Sequence, residues 1–110
     1  MAKTRTDLVP GTLDVLILKT LELEPRHGVA ISDRIAQVTR GTFSVKPGSL
    51  FPALHRLEQN GSVKGEWTTT AEGYRAKVYR ITSAGQRRLA TEMRQWSRIV
   101  VAMAMVLEPE

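Results

Sequence analysis

Over its last third the chain carries a pattern that few folds can accommodate. Leu89, Met93, Trp96, Val100, Met103 and Leu107 follow one another at intervals of 4, 3, 4, 3 and 4 residues. That is a heptad seam, which on a helix aligns one apolar stripe for a partner helix. Ile99, Val101, Met105 and Val106 fill the remaining sides of its C-terminal half. A helix apolar nearly all round is not stable against water, so this one is expected to bury against its own domain and against a second copy of the chain. The six seam residues are the expected dimerisation set. Trp96, in mid-seam, admits two readings: a bulky anchor of the dimer core, or one wall of an effector-binding pocket between subunits where a flat apolar molecule would stack. The run from Ile99 to Leu107 is nine residues, against about 20 for a bilayer span, so no membrane partner is expected.

Upstream of that helix the texture changes several times. Leu13, Leu16, Ile17, Thr20 and Leu21 recur at helical spacing and predict a first helix from about Thr12 to Glu22, stopped at Glu24-Pro25. A second is expected from Gly28, with Ile31, Ile35 and Val38 on one side and Gly41 as its stop. Phe43-Ser44-Val45 alternates and reads as a brief strand. Pro47-Gly48-Ser49 opens a third helix with Leu50, Leu54 and Leu57 as its apolar stripe, closed by Asn60-Gly61. Val63, Trp67, Val78, Tyr79 and Ile81 are strand formers on either side of the polar stretch Thr68–Gly73, a hairpin signature. Thr82 or Ser83 can then cap the last helix.

Three short helices followed by a two-stranded hairpin is the order of a winged helix-turn-helix, mainly helical α+β, here with a long C-terminal dimerisation helix. Residues 1–81 are expected to form the DNA-binding unit and residues 82–110 the dimerisation helix, within a single structural unit. Such a fold presents its third helix to a DNA major groove. On a helical projection Leu50, Leu54 and Leu57 span an arc of roughly 60°. The opposite side carries Gly48, Pro52, His55 and Gln59, flanked by Ser49 and Arg56. Small residues near the helix start let phosphate approach the free N–H groups, and His55, Arg56 and Gln59 are long enough to reach bases. A solvated helix face has the same composition, so this pattern does not decide alone. In or beside the hairpin lie Lys64, Arg75, Lys77 and Arg80, against Glu66 and Glu72. Basic side chains on a wing meet phosphates, although edge lysines also guard a sheet against aggregation.

Composition narrows the function classes. The chain of 110 residues has a net charge of +5 and an isoelectric point near 10.1, a balance that suits nucleic acid as partner but also fits a generically basic protein. With no cysteine, disulfides and thiolate metal sites are excluded. Met1 to Asp7 is polar and basic, without the apolar region of a secretion signal, and a cytoplasmic location is expected. Only His27 and His55 are available as histidine catalysts, on different elements, and Glu58, three residues after His55, is their single suggestive neighbour. No catalytic residue, metal site or cofactor is therefore expected, and the chain is read as not an enzyme.

Four segments carry a more specific resemblance: GTLDVLIL at 11–18, PRHGVAI at 25–31, GSLFPALHRLE at 48–58 and YRITSAG at 79–85. In this order they resemble the PadR family of transcriptional regulators, over about residues 8–90. The short chain with a single helix after the wing is similar to the family's compact branch. The resemblance implies a bacterial repressor that dimerises through its first and last helices and responds to aromatic or apolar effectors. It also implies that Ser49, Phe51, Pro52 and His55 lie at the recognition helix, with the wing near Arg75 and Lys77. Phe51 stands where the family usually has Tyr, removing a hydroxyl able to bond phosphate, and Val29 stands where an aromatic is common. Taken together, the expected DNA contacts are Lys46, Ser49, Phe51, Pro52, His55, Arg56, Gln59, Lys64, Arg75 and Lys77. The expected partners are double-stranded DNA, a second copy of the chain and a small-molecule effector acting near Trp96. The competing reading is a winged helix that binds protein, with no specific affinity for DNA.

Overall fold

A computed structural model describes residues 11–108. Residues 1–10 of the expected DNA-binding unit and residues 109–110 of the expected dimerisation segment lie outside the described residues. In chain order the elements are α1 (Thr12–Leu23), β1 (Arg26–His27), α2 (Gly28–Val38), α3 (Pro47–Gln59), β2 (Val63–Thr69), β3 (Arg75–Ile81) and α4 (Ser83–Leu107). The sheet is antiparallel with strand order β1-β3-β2.

The apolar stripes read from the sequence meet in one core. Ile17, Leu18 and Leu21 of α1 face Ile31 and Ile35 of α2 and Leu50, Leu54 and Leu57 of α3, all buried. Val63 and Tyr79 close the core from the sheet, and Leu89 from the start of α4. Val38, expected on the buried side of α2, is exposed.

Local chemistry sets the joints between elements. At the end of α3 the Ser62 N–H donates to the Leu57 carbonyl at 2.9 Å and the Gly61 N–H to Glu58 at 3.2 Å. With Gly61 at φ +82°, this is the six-to-one and five-to-two closure of a Schellman turn, and it aims the chain into β2. The same closure ends α2, through Gly41 N–H to Ala36 at 2.8 Å and Arg40 N–H to Gln37 at 3.3 Å. There the residue one step past the cap is Arg40, at φ 52°, and Gly41, marked from sequence as the stop, follows it at φ 83°. At the other end of the hairpin Thr82 caps α4: its hydroxyl accepts from the Gly85 N–H at 3.0 Å and donates to the Gly61 carbonyl at 2.6 Å. One side chain thus ties the base of the wing to the last helix.

Two further expectations fail. Phe43-Ser44-Val45 forms no strand; Phe43 and Val45 pack their side chains against the core instead. The third strand comes from Arg26–His27, which pairs with Tyr79 and Val78 of β3. A two-residue strand has no alternation to detect, so only the neighbouring edge of β3 identifies it. Leu89, assigned to the dimer seam, is 1% exposed within its own chain. The start of α4 is packed within the chain, Gly85 against Ser62 and Ile81 and Arg88 on Asp14 of α1, so the free part of the seam starts at Met93.

Candidate nucleic-acid interface

α3 turns its leucines inward, which leaves Ser49, Pro52, His55, Arg56 and Gln59 exposed on the far side. Lys46 precedes the helix in extended conformation, and its carbonyl accepts from the Ser49 and Leu50 N–H groups, both at 2.9 Å. Nothing lies within 4 Å of where a Cβ on Gly48 would stand, so the helix start is open to an approaching phosphate.

Phe51 behaves differently from the other expected contacts. A Cβ on Gly28 would lie 2.8 Å from its ring, so the ring rests on the glycine that begins α2, leaving Phe51 43% exposed. Arg56 is also engaged within the chain. Its guanidinium pairs with Asp14 of α1 at 3.2 Å, and Arg88 of α4 takes the other oxygen of the same carboxylate at 3.2 Å. Asp14 is buried, so this carboxylate clamps α1, α3 and α4 together while the Arg56 side chain stays 58% exposed.

The wing has two chemically distinct faces. Strand alternation and the register Trp67↔Lys77, Thr69↔Arg75 and Gly65↔Tyr79 place Arg75, Lys77 and Trp67 on the face turned toward α3. Lys64, Glu66 and Arg80 lie on the other, where Arg80 pairs with Glu66 at 3.2 Å. Lys64 was grouped with Arg75 and Lys77 from sequence, and the register separates it from them. Arg75 stacks over the Trp67 ring at 5.0 Å. Lys77 Nζ lies 5.8 Å from the same ring, 5.5 Å from that of Tyr79 and 2.9 Å from Glu58 Oε1.

This joint is visible in the electrostatics. The hydrogen bond from Lys77 holds the Glu58 carboxyl below the usual carboxylate range, against a smaller opposing effect of burial. The same bond raises the Lys77 ammonium. Burial pushes the Tyr79 phenol up, partly offset by Lys77. Glu58, suggested from sequence as a neighbour of His55, is therefore committed to the wing. No cluster able to hold a metal ion occurs among the described residues.

Between α2, Phe51 and the wing runs an open groove of about 400 Å³, lined on its walls by Val29, Phe51, Trp67 and Lys77. His27 Nδ1 at its edge is buried without a hydrogen-bond partner among the described residues. Sequence reasoning had treated Trp67 only as a strand former and had passed over Asp14. The strand register would have revealed Trp67, since it faces Lys77. Asp14 gave no local signal, because its partners lie 42 and 74 residues away.

A three-helix unit with an exposed polar third helix and a basic two-stranded wing beside it defines a winged-helix DNA-binding regulator. The family model for PadR-like transcriptional regulators matches residues 17–91. A transcriptional regulator from Clostridium thermocellum superposes with a TM-score of 0.85 at 26% identity, covering 94% of this chain and 100% of that one. A PadR family regulator from Eggerthella lenta gives 0.79 at 30% identity, covering 91% and 85%. The transcriptional regulator Rv3488 of Mycobacterium tuberculosis is 38% identical over 68 residues, 62% of this chain and 60% of that protein. The chain belongs to the PadR-like family of transcriptional regulators, and it is not an enzyme.

Proposed function

We propose that the protein is a homodimeric, sequence-specific repressor that leaves DNA when a small aromatic or apolar molecule binds near Trp96. The observation that carries the dimer is the surface of α4 beyond Leu89. Trp96 is 53% exposed and Leu107 68%, with Val100 and Met103 exposed between them and Met93 exposed just before Trp96. Two copies would bury this surface together with part of α1. Dimerisation sets two α3 helices at a fixed separation, suited to half-sites about one helical turn apart. Ser49, Pro52, His55 and Gln59 then read the major groove, Lys46 and Arg75 hold phosphate, and the protein acts in the cytoplasm. An effector lying against Trp96 would change the separation of the two readers and lower affinity through its preference for the mismatched spacing.

The deciding experiment measures binding of the purified protein to the DNA upstream of its own gene and to an unrelated duplex, across a salt series. Tighter binding to the upstream fragment, falling steeply as salt rises, supports the reading. No binding at low salt overturns it in favour of a winged helix that docks on protein. A Trp96→Ala protein that remains dimeric and keeps its response to aromatic compounds would remove the effector site.

A further inference from the structure

Glu58 stands in the last turn of α3 and grips both strands of the wing. One carboxylate oxygen accepts from Lys77 Nζ of β3 at 2.9 Å and the other from the Gly65 N–H of β2 at 3.3 Å. Closure depends on the missing side chain at position 65. A Cβ there would collide with Lys77 Cε and lie 3.1 Å from both Glu58 Oε2 and the Tyr79 ring. Lys77 is thus enclosed by Glu58, Trp67 and Tyr79. Arg75, toward the tip, stacks on Trp67 and makes no ion pair among the described residues.

We propose that Glu58 is a positioning residue for DNA binding. Through Lys77 and Gly65 it holds the wing at one distance from the exposed face of α3, and it withholds Lys77 from phosphate, leaving Arg75 as the wing's phosphate contact. This rests on the DNA-binding reading above. A wing held at fixed spacing can dock only when α3 is in register with the bases, so wing contacts add to specific binding. A released wing carrying a free lysine would add affinity for any duplex, because phosphate contacts carry no sequence information.

The test uses a duplex selected by the wild-type protein from a random-sequence library, and an unrelated duplex of equal length. Each phosphate contact adds about 0.9 to the slope of log affinity against log salt. Glu58→Gln should steepen that slope by about 0.9 per subunit, an extra loss of roughly 3.5-fold per subunit for a fourfold rise in salt. It should also lower the ratio of selected to unrelated binding. Lys77→Met, which removes the ammonium and keeps an unbranched stem beside the Trp67 and Tyr79 rings, should keep the wild-type slope and lower the same ratio, with helix content and unfolding midpoint checked alongside. A Glu58→Gln protein with wild-type slope and ratio, while the wild type discriminates, overturns the role of Glu58 alone. Flattening of the slope by about 0.9 per subunit in Lys77→Met shows that Lys77 already meets phosphate, and overturns it too. Wild-type protein that binds neither duplex removes the reading underneath.

Discussion

Two glycines bury their α-carbons against other elements, and what lies opposite decides how a methyl group would be received. At Gly85 a Cβ would fall on the Ser62 carbonyl and 2.8 Å from Ile81 Cγ1. Backbone cannot swing aside, so the overpacking cost falls at the top of the usual range, about 3 kcal/mol. Less about 1 kcal/mol for the helix preference of alanine, Gly85→Ala should lose about 2 kcal/mol. At Gly28 the obstruction is the Phe51 ring, which can rotate, and Gly28→Ala should change stability by less than about 1 kcal/mol. Urea unfolding of the two variants checks the ordering. The Glu58–Lys77 pair makes a prediction about pH. Glu58 is lowered in the folded chain, so its contribution is present above the ordinary carboxylate value and is lost as pH falls through the lowered one. Lys77 is raised, so its contribution is present below the ordinary lysine value and is lost as pH rises through the raised one. The stability difference between wild type and Glu58→Gln should therefore be flat through neutral pH and shrink at both extremes. Denaturation midpoints across pH measure this.

At the scale of elements, the hinge between wing and α4 rests on Thr82. Its hydroxyl satisfies the Gly85 N–H and reaches back to the Gly61 carbonyl, so Thr82→Ala removes a cap and a cross-link at once. Loss of a cap of this kind costs about 1–2 kcal/mol, and Thr82→Ser should recover most of it. A shifted urea midpoint with unchanged m value is the expected signature. Most elements were legible beforehand because each advertises its own period and end signals: α1, α3 and α4 begin where their caps and stripes place them. β1 was not legible, since a two-residue segment becomes a strand only when β3 supplies the partner edge. The exposed polar face of α3 was legible from the helical projection, whereas the occupation of Arg56 by Asp14 and of Lys77 by Glu58 was not. Those pairings join residues 42 and 19 positions apart, and no local pattern reports them.

The whole molecule is long for its size. Its radius of gyration is 15.6 Å, against about 13 Å for a compact chain of some 100 residues. The excess is α4, whose 25 residues extend about 37 Å, and of which only Gly85 and Leu89 are buried. No helix among the described residues is long and apolar enough to cross a membrane. A charge placed on the free seam should therefore be felt by assembly before folding. Val100→Glu and Met103→Glu should give a monomer in sedimentation with unchanged helix content, and affinity for a two-fold symmetric operator should fall by at least about tenfold as the second reader is lost. An unchanged dimer mass would move the interface elsewhere.

Periodicity, caps and turn residues are local properties of the chain, and they determined the helices, the hairpin and the inward stripe of α3. From those alone followed the winged-helix order and the exposed polar face of α3. The tertiary structure decided which of the basic residues remain available. Asp14 holds Arg56, Glu58 holds Lys77, and the strand register turns Lys64 away from both. It also drew Leu89 out of the seam and into the core. The physical reason is common to all four: an ion pair, a strand register or a buried contact depends on proximity in space, which folding creates between residues that the chain keeps apart.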